Sequence, residues 1–439
     1  MCMKKLLSFL LVMLVTASLV FAGGSGESSD QPRIRVLSMT AQISDGILEY
    51  LDEFEEESGI KVDLELYGES ELRQKEMTEF MTGNSTVDVY LFSPLQDMAA
   101  FSQNGWIEPL DEYLSDPELN WEDFSSAPPK QITIPGTDSI GCIPLYSSVQ
   151  LMYYRKDVFE KYGLEPPKTY DELIEVCKTI NDPANNFYAI ACRGERNALT
   201  SQYSPFLFAF GGSFIKDGKS NFASEGSYEA TKFYGELLGN YAPPGILTAG
   251  YSQMTQLFNS GTVGMVIDAN ALYATLVDPA ESAYADKVGV AAIPAGPEGA
   301  HSYRQVSWAV AMYPGSKNKE AAWEFMKFVA GSDVAAYITP LGMPSFRDSV
   351  WTDERVESAM APDMVQAYAD TYALTTNNEF GLPRMTAVTE ARDIMGGAVV
   401  YSIETKGEGP ELKQMMQEAA ADVDELLQAY DEYGENYNW

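Results

Sequence analysis

From Arg33 to Gly105 the chain repeats one cadence three times: a short apolar strand, then an amphipathic helix. Arg33–Ser38 alternates apolar and polar residues as a half-buried strand does. Gln42–Ser58 sets Ile43, Ile47, Leu48, Leu51 and Phe54 at helical spacing, and Gly59 stops it. The period-two run Gly59–Leu66 leads to a helix from Glu69 to about Thr82, closed by Gly83. Val87–Phe92 reads as a short apolar strand and Leu95–Asn104 as a helix closed by Gly105. This alternation predicts an α/β fold with a largely parallel sheet. In such sheets ligands sit beyond the carboxyl ends of the strands. The loops starting at Met39 and Ser93 are therefore ligand loops on geometry alone.

A chain of 439 residues exceeds one ordinary domain and suits two lobes. Its start reads as a secretory signal. Lys4 and Lys5 form the positive region, and Leu6–Val20 is apolar except for Ser8, Thr16 and Ser18. Val20-Phe21-Ala22 is a small-x-small cleavage site followed by the polar stretch Gly23–Asp30. Residues 1–22 are thus expected to be a signal peptide and 23–30 a flexible linker. The other reading is an uncleaved anchor, for which the apolar run is short. Lipid attachment needs a cysteine just after the cleavage point, where Gly23 stands, and Cys2 precedes the positive region.

The formal net charge is −35, and loss of Lys4 and Lys5 makes the remainder more negative still. Such a chain repels nucleic acid and anionic membrane, and it accommodates neutral or cationic ligands more easily than polyanions. Solubility alone is the simpler reading of the same charge. Beyond the leader, Cys142, Cys177 and Cys192 allow at most one internal disulfide, Cys177 with Cys192 being closest in sequence. Three small buried side chains are the alternative. No CxxC spacing occurs, so neither a zinc nor a redox motif is present. His301, the only histidine, lies in the turn-rich GPEGAHSYR segment and reads as a solvated loop residue, which argues against a Ser-His-Asp triad; one histidine cannot make a multi-histidine metal site, and histidine-free mechanisms survive. No cofactor or metal is expected. The absence of GxxxxGK[ST] excludes a P-loop nucleotide hydrolase.

Further along, a strand ends at Tyr146 and a second apolar run, Val149–Tyr154, leads into a helix closed by Gly163. Thr169 with Glu172 makes a capping box. Val263–Asp268 reads as a buried strand, as do Val288–Ile293 and Ser307–Tyr313 around the turn Pro294–Gly299. Leu412, Met415, Met416, Ala419, Val423, Leu426, Leu427 and Tyr430 form one apolar stripe on a C-terminal helix.

The order of these pieces resembles the sugar-binding cluster of extracellular solute-binding proteins that serve ABC importers, the group that includes maltodextrin-binding protein. The resemblance rests on DVYLF (Asp88–Phe92), IPLYSSVQLMYYRKDVFEKYGL (Ile143–Leu164) and PPKTYDEL (Pro166–Leu173). NSGTVGMVID (Asn259–Asp268), the IPAGP turn at Ile293 and GSKNKEAAWEFMKFV (Gly315–Val329) complete it. It implies a two-lobed periplasmic binding protein fold (type II), each lobe a mostly parallel sheet flanked by helices, with the ligand cleft between. Crossings are expected near Tyr146–Ser148, near Ile293–Ala295 and after Gly342. One lobe then takes 31–146 plus 295–343, the other 147–294 plus 344–439.

The resemblance also implies a site. The loop after the first strand supplies Thr40 and Gln42, and the loop after VDVYLF supplies Phe92, Ser93 and Gln96. The first crossing supplies Tyr146 and Ser148. Tyr203 and Phe210 precede the glycine pair, Asp268 and Asn270 end a strand, and Trp308 borders the cleft. Arg347 and Arg384 come from GMPSFRDSV and GLPRM. Gln, Asn, Asp, Ser and Arg all pair with hydroxyls, and a flat aromatic packs on the C–H face of a sugar ring. Where many members have Gly-Pro-Trp, this chain has Ala269-Asn270-Ala271. The missing aromatic argues for a short sugar rather than a long maltodextrin.

The implied role is capture of a sugar and delivery to the transmembrane subunits of an ABC permease. The protein would be a periplasmic monomer, without catalysis. Each site residue also has a structural reading: Tyr146 and Phe210 as core aromatics, Asp268 as a cap, Arg347 and Arg384 as ion pairs. Two rival functions remain at this level. A secreted glycoside hydrolase needs two carboxylates flanking a bond. A binder of polyamines needs acids around aromatics, and a binder of organic anions needs arginine clamps, for which Arg347 and Arg384 are available.

Overall fold

The computed structural model describes residues 31–303, 305–374 and 380–437; the expected leader 1–22 and linker 23–30 lie outside them. Strands β1 (Arg33–Met39), β2 (Lys61–Tyr67) and β3 (Val89–Phe92) run parallel, with β1 in the middle. The helices Gln42–Ser58, Glu69–Met81 and Pro94–Gln103 follow them in turn, as the cadence predicts. Gly59 ends the first helix at φ +69°, its N–H on the Glu55 carbonyl, a left-handed cap that suits glycine.

Strands β4 (Ile143–Ser148) and β11 (Gln305–Met312) complete this sheet in the order β2-β1-β3-β11-β4. A second sheet is built from β5 (Gln150–Arg155), β6 (Tyr188–Ala191), β9 (Val263–Ala269) and β10 (Val288–Ala292), in the order β10-β5-β9-β6. The two-residue strands β7 (Ile215–Lys216) and β8 (Lys219–Ser220) form a separate hairpin. The sheets are mixed rather than mostly parallel. β11 is antiparallel to both β3 and β4, and β5 is antiparallel to both β9 and β10. The chain arrives on these strands from the other sheet, without the helical crossover that keeps neighbours parallel.

Each sheet has its own apolar core. In the first, Phe80 stacks on Tyr313 at 4.7 Å and meets Tyr90 edge-on at 4.9 Å. Such pairs add about 0.5–1.5 kcal/mol each beyond area burial. In the second, Tyr170 stacks on Phe233 at 4.6 Å and on Phe206 at 5.2 Å. The C-terminal helix Leu412–Ala429 buries Leu412, Met416, Ala419, Val423 and Leu427 along the predicted stripe. Tyr430 falls just past the helix end and is exposed. Thr169 Oγ1 accepts from the Glu172 N–H at 3.2 Å, but the Glu172 carboxylate reaches Lys168 N–H instead of closing the expected box.

Cys142, Cys177 and Cys192 are buried free thiols, so the Cys177–Cys192 disulfide is not formed. The one acidic trio among the described residues with converging oxygens, Asp116, Glu118 and Glu324, is already filled by the Lys327 ammonium. No helix among the described residues is long and apolar enough to cross a membrane.

Candidate functional site

Three stretches of chain pass between the two sheets. Only Val149 separates β4 from β5, so the first passage is a single residue. The second joins β10 to β11. The third runs beside β4, where Ser345 bridges Tyr146 and the Ser147 N–H donates to the Pro344 carbonyl at 2.8 Å. Asn270 ties the first and third together. Its Oδ1 accepts from Val149 N–H at 2.8 Å, and its Nδ2 donates to the carbonyls of Ser147 (3.1 Å) and Gly342 (2.7 Å). Both amide hydrogens are engaged, so Asn270 holds the crossings. Gly342 sits at φ +87°, and a Cβ there would stand 2.5 Å from the Asn270 carbonyl oxygen.

Beside this junction lies a polar cluster on the four-stranded sheet. Asp268, fully buried near the end of β9, accepts from Arg193 Nε (2.9 Å) and Nη2 (2.8 Å). It also accepts from Gln202 Nε2 at 3.0 Å and from the Ala269 N–H at 2.7 Å. Burial works against the Arg193 charge, but Asp268 outweighs it and holds the guanidinium above its ordinary pKa. The same guanidinium lies 5.2 Å over the Tyr251 ring. Burial raises the phenol of Tyr251 to about 12. Tyr303, buried in the second crossing, is pushed up by burial too; Asp268 and Arg193 act on it, and its hydroxyl faces Ser148. Gln150 Nε2 donates to the Gln202 carbonyl at 2.9 Å, while its buried Oε1 has no partner among the described residues.

On the five-stranded sheet Tyr146 and Trp308 are cross-strand partners, with the β4–β11 register broken at Trp308. They are 3% and 7% exposed. Burial raises the Tyr146 phenol, and both Glu69 and Tyr251 act on it, which sets it between the two bodies. Glu69 and Arg73 come from the helix after β2. Arg73 donates through Nε to Asp97 at 2.8 Å and through Nη2 to Gln96 Oε1 at 3.0 Å. Arg392, from the helix Val388–Glu404, lies within electrostatic reach of Arg193, Arg73, Glu69 and Glu195.

Tyr146, Ser148 and Asp268 are therefore linked through Tyr251 and Tyr303, Gln96 is joined through Arg73, and Trp308 lies beside Tyr146 in the first core. The other expected residues are placed differently. Thr40 is exposed, its N–H on the Tyr67 carbonyl at 2.7 Å, and Gln42 is half-buried at the next helix start. Ser93 is buried at the N-cap of Pro94–Gln103. Phe92 belongs to the first core, stacked on Phe101 at 5.8 Å, because all four residues of β3 are buried. Tyr203 belongs to the second core, its hydroxyl 2.7 Å from Thr231 Oγ1. Phe210 stacks on Tyr170 at 5.9 Å. Arg347 is buried against Asp123 (2.9 Å), with Nε and Nη2 on the carbonyls of Ala330 and Leu119. Arg384 reaches the Lys130 carbonyl at 2.7 Å and lies 4.3 Å over the Phe380 ring.

Glu69, Arg73, Arg193, Gln202, Tyr251, Tyr303 and Arg392 were not among the expected residues. A signal for three of them was present. The rule that ligands gather beyond strand carboxyl ends covers β2 and β6 as well as β1 and β3. It points to Glu69 and Arg73 just past β2 and to Arg193 just past β6.

Comparison with known proteins adds to this geometry. The bacterial extracellular solute-binding protein family matches residues 40–336. A binding protein of Brucella abortus (strain 2308) is 30% identical over 325 residues, covering 73% of this chain and 77% of that one. The mannitol-binding protein of Pseudomonas aeruginosa is 29% identical over 265 residues, 58% of this chain and 59% of that one. Among solved structures, an ABC transporter solute-binding protein of Agrobacterium radiobacter K84 in complex with ribitol superposes with a TM-score of 0.76 at 24% identity. It covers 90% of this chain and 99% of that one.

Proposed function

The chain belongs to the bacterial extracellular solute-binding proteins, and from that membership we propose that it captures a short sugar or polyol between its lobes for an ABC permease. The lobes are taken as 31–146 plus 295–343 and 147–294 plus 344–439, and the compartment as the periplasm. The protein hands over its ligand unchanged.

The observation that carries this reading is the hydrogen-bonded cluster Arg193–Asp268–Gln202, with Tyr251 beside Arg193 and within reach of Tyr146 on the other sheet. The Arg193 guanidinium has N–H groups beyond those on Asp268 to donate to hydroxyls, Gln150 Oε1 can accept, and a flat aromatic face packs the C–H face. A site of paired polar groups also rejects analogues that lack a hydroxyl. The mannitol-binding relative and the ribitol-bound neighbour favour a small polyhydroxyl ligand over a long glucan. Of the anion-clamp pair, Arg347 is already committed to Asp123.

A thermal-shift screen against polyols, mono- and disaccharides, polyamines and amino acids tests the reading, since a ligand that binds only the folded state raises its melting temperature. Stabilisation by a sugar or polyol, with quenched or shifted tryptophan fluorescence that Trp308→Phe removes, is expected. Stabilisation by polyamines alone, or release of new reducing ends from an oligosaccharide, overturns it.

A further inference from the structure

Among the described residues, three arginines lie between the sheets, and two of them are neutralised. Arg73 pairs with Asp97 at 2.8 Å, and Arg193 with Asp268 at 2.8 Å. Arg392 is different. Its Nε (3.1 Å) and Nη2 (2.9 Å) both donate to one neutral acceptor, the Asn197 carbonyl. Among the described residues it forms no ion pair.

Its position is fixed across the gap. The segment just before its helix is anchored to the five-stranded body twice: Thr386 Oγ1 accepts from Gln103 Nε2 at 2.9 Å, and Arg384 reaches Lys130. The charges that face Arg392 are Arg193 and Arg73, which oppose its charge, and Glu69 and Glu195, which favour it. Burial acts first and lowers its pKa to about 10, which still leaves the guanidinium charged at neutral pH. A half-buried cation with no direct ion pair keeps hydrogen-bonding capacity for an anionic partner.

We propose that the ligand carries one carboxylate beside its hydroxyls, as an aldonic or uronic acid does, and that Arg392 receives it. The proposal rests on the sugar reading above and narrows it. Among the described residues one cation there has no ion pair, and it matches one negative charge. A phosphate ester carries up to two, and Glu69 and Glu195 nearby disfavour the second. A guanidinium fork also fits a planar carboxylate through two parallel hydrogen bonds. Gln150 Oε1, without a partner among the described residues, remains for a hydroxyl.

Titration calorimetry with the leaderless chain tests this on matched pairs: mannitol with mannonate, ribitol with ribonate, glucose with glucuronate. The acid is expected to bind about tenfold or more tighter than its neutral partner in at least one pair. Arg392→Gln should bring that acid-to-neutral ratio close to one, and Arg392→Lys should restore part of it. The unliganded Arg392→Gln variant should melt no lower than the parent, since it removes a charge that makes no direct ion pair among the described residues. Equal affinity for both members of every pair overturns the inference and leaves the sugar reading standing. Tighter binding of glucose 6-phosphate than of any acid overturns it as well. No response to any of these ligands overturns both.

Discussion

Asn270 donates a hydrogen bond to the Gly342 carbonyl at 2.7 Å, joining the end of β9 to the third crossing over 72 positions of sequence. The same side chain accepts from Val149 in the first crossing. Two of the three passages between the sheets thus share one amide.

Asn270→Ala leaves the Val149 N–H and the Gly342 carbonyl without that partner. Each unsatisfied buried group costs about 1–3 kcal/mol, so the variant should lose about 2–4 kcal/mol in urea denaturation. Ligand affinity should fall with it, because the two crossings no longer share that amide. A variant as stable as the parent would show that water or a shifted crossing replaces the amide.

Asp268→Asn keeps the shape of the side chain and removes the charge opposite Arg193. Breaking a buried pair from one side costs about 3–5 kcal/mol because the surviving charge is left uncompensated. Adding Arg193→Gln to Asp268→Asn should recover part of that loss. Additive losses in this double-mutant cycle would mean that the two residues are not coupled.

Burial pushes the thiols of Cys142, Cys177 and Cys192 well above their ordinary values, so little reactive thiolate forms. The leaderless native chain should resist a thiol reagent at pH 8. Unfolding without reductant should release all three thiols at once. Release of a single thiol would reveal a disulfide between the other two.

The sequence was readable where local pattern and tertiary demand agree. Gln42–Ser58 and its Gly59 stop appear as the spacing requires, because one helix face is buried and the cap is glycine. Sheet composition was less readable. Whether β11 lies parallel or antiparallel to β3 depends on a route through the other lobe, which no window around Gln305 contains. Residue type likewise did not separate Arg347 from Arg193, one locked on Asp123 within a body and the other on Asp268 at the gap. Their difference is set by partners far away in sequence. Arg392 went unnoticed for the same reason, since its distinction is the absence of an ion pair.

Glu76 provides the pH test. Its side chain is buried in the helix after β2, and Oε1 has no partner among the described residues. Burial raises its pKa well above the ordinary value, Asp97 raises it further, and Arg73 pulls it down. The folded state therefore holds a proton that the unfolded chain releases just above its own, ordinary pKa. Stability conferred by that proton is present below the ordinary value and lost as pH rises through the raised one. Glu76→Gln keeps a neutral side chain at every pH and removes this dependence. The variant should be more stable than the parent at pH 8, with the difference shrinking toward pH 5, as read from urea midpoints at the two values. Because Arg73 and Asp97 also face Glu76, a parallel series with Asp97→Asn separates their contributions. A Glu76→Gln chain less stable than the parent at pH 8 would mean that the carboxylate is ionised and held by Arg73 after all.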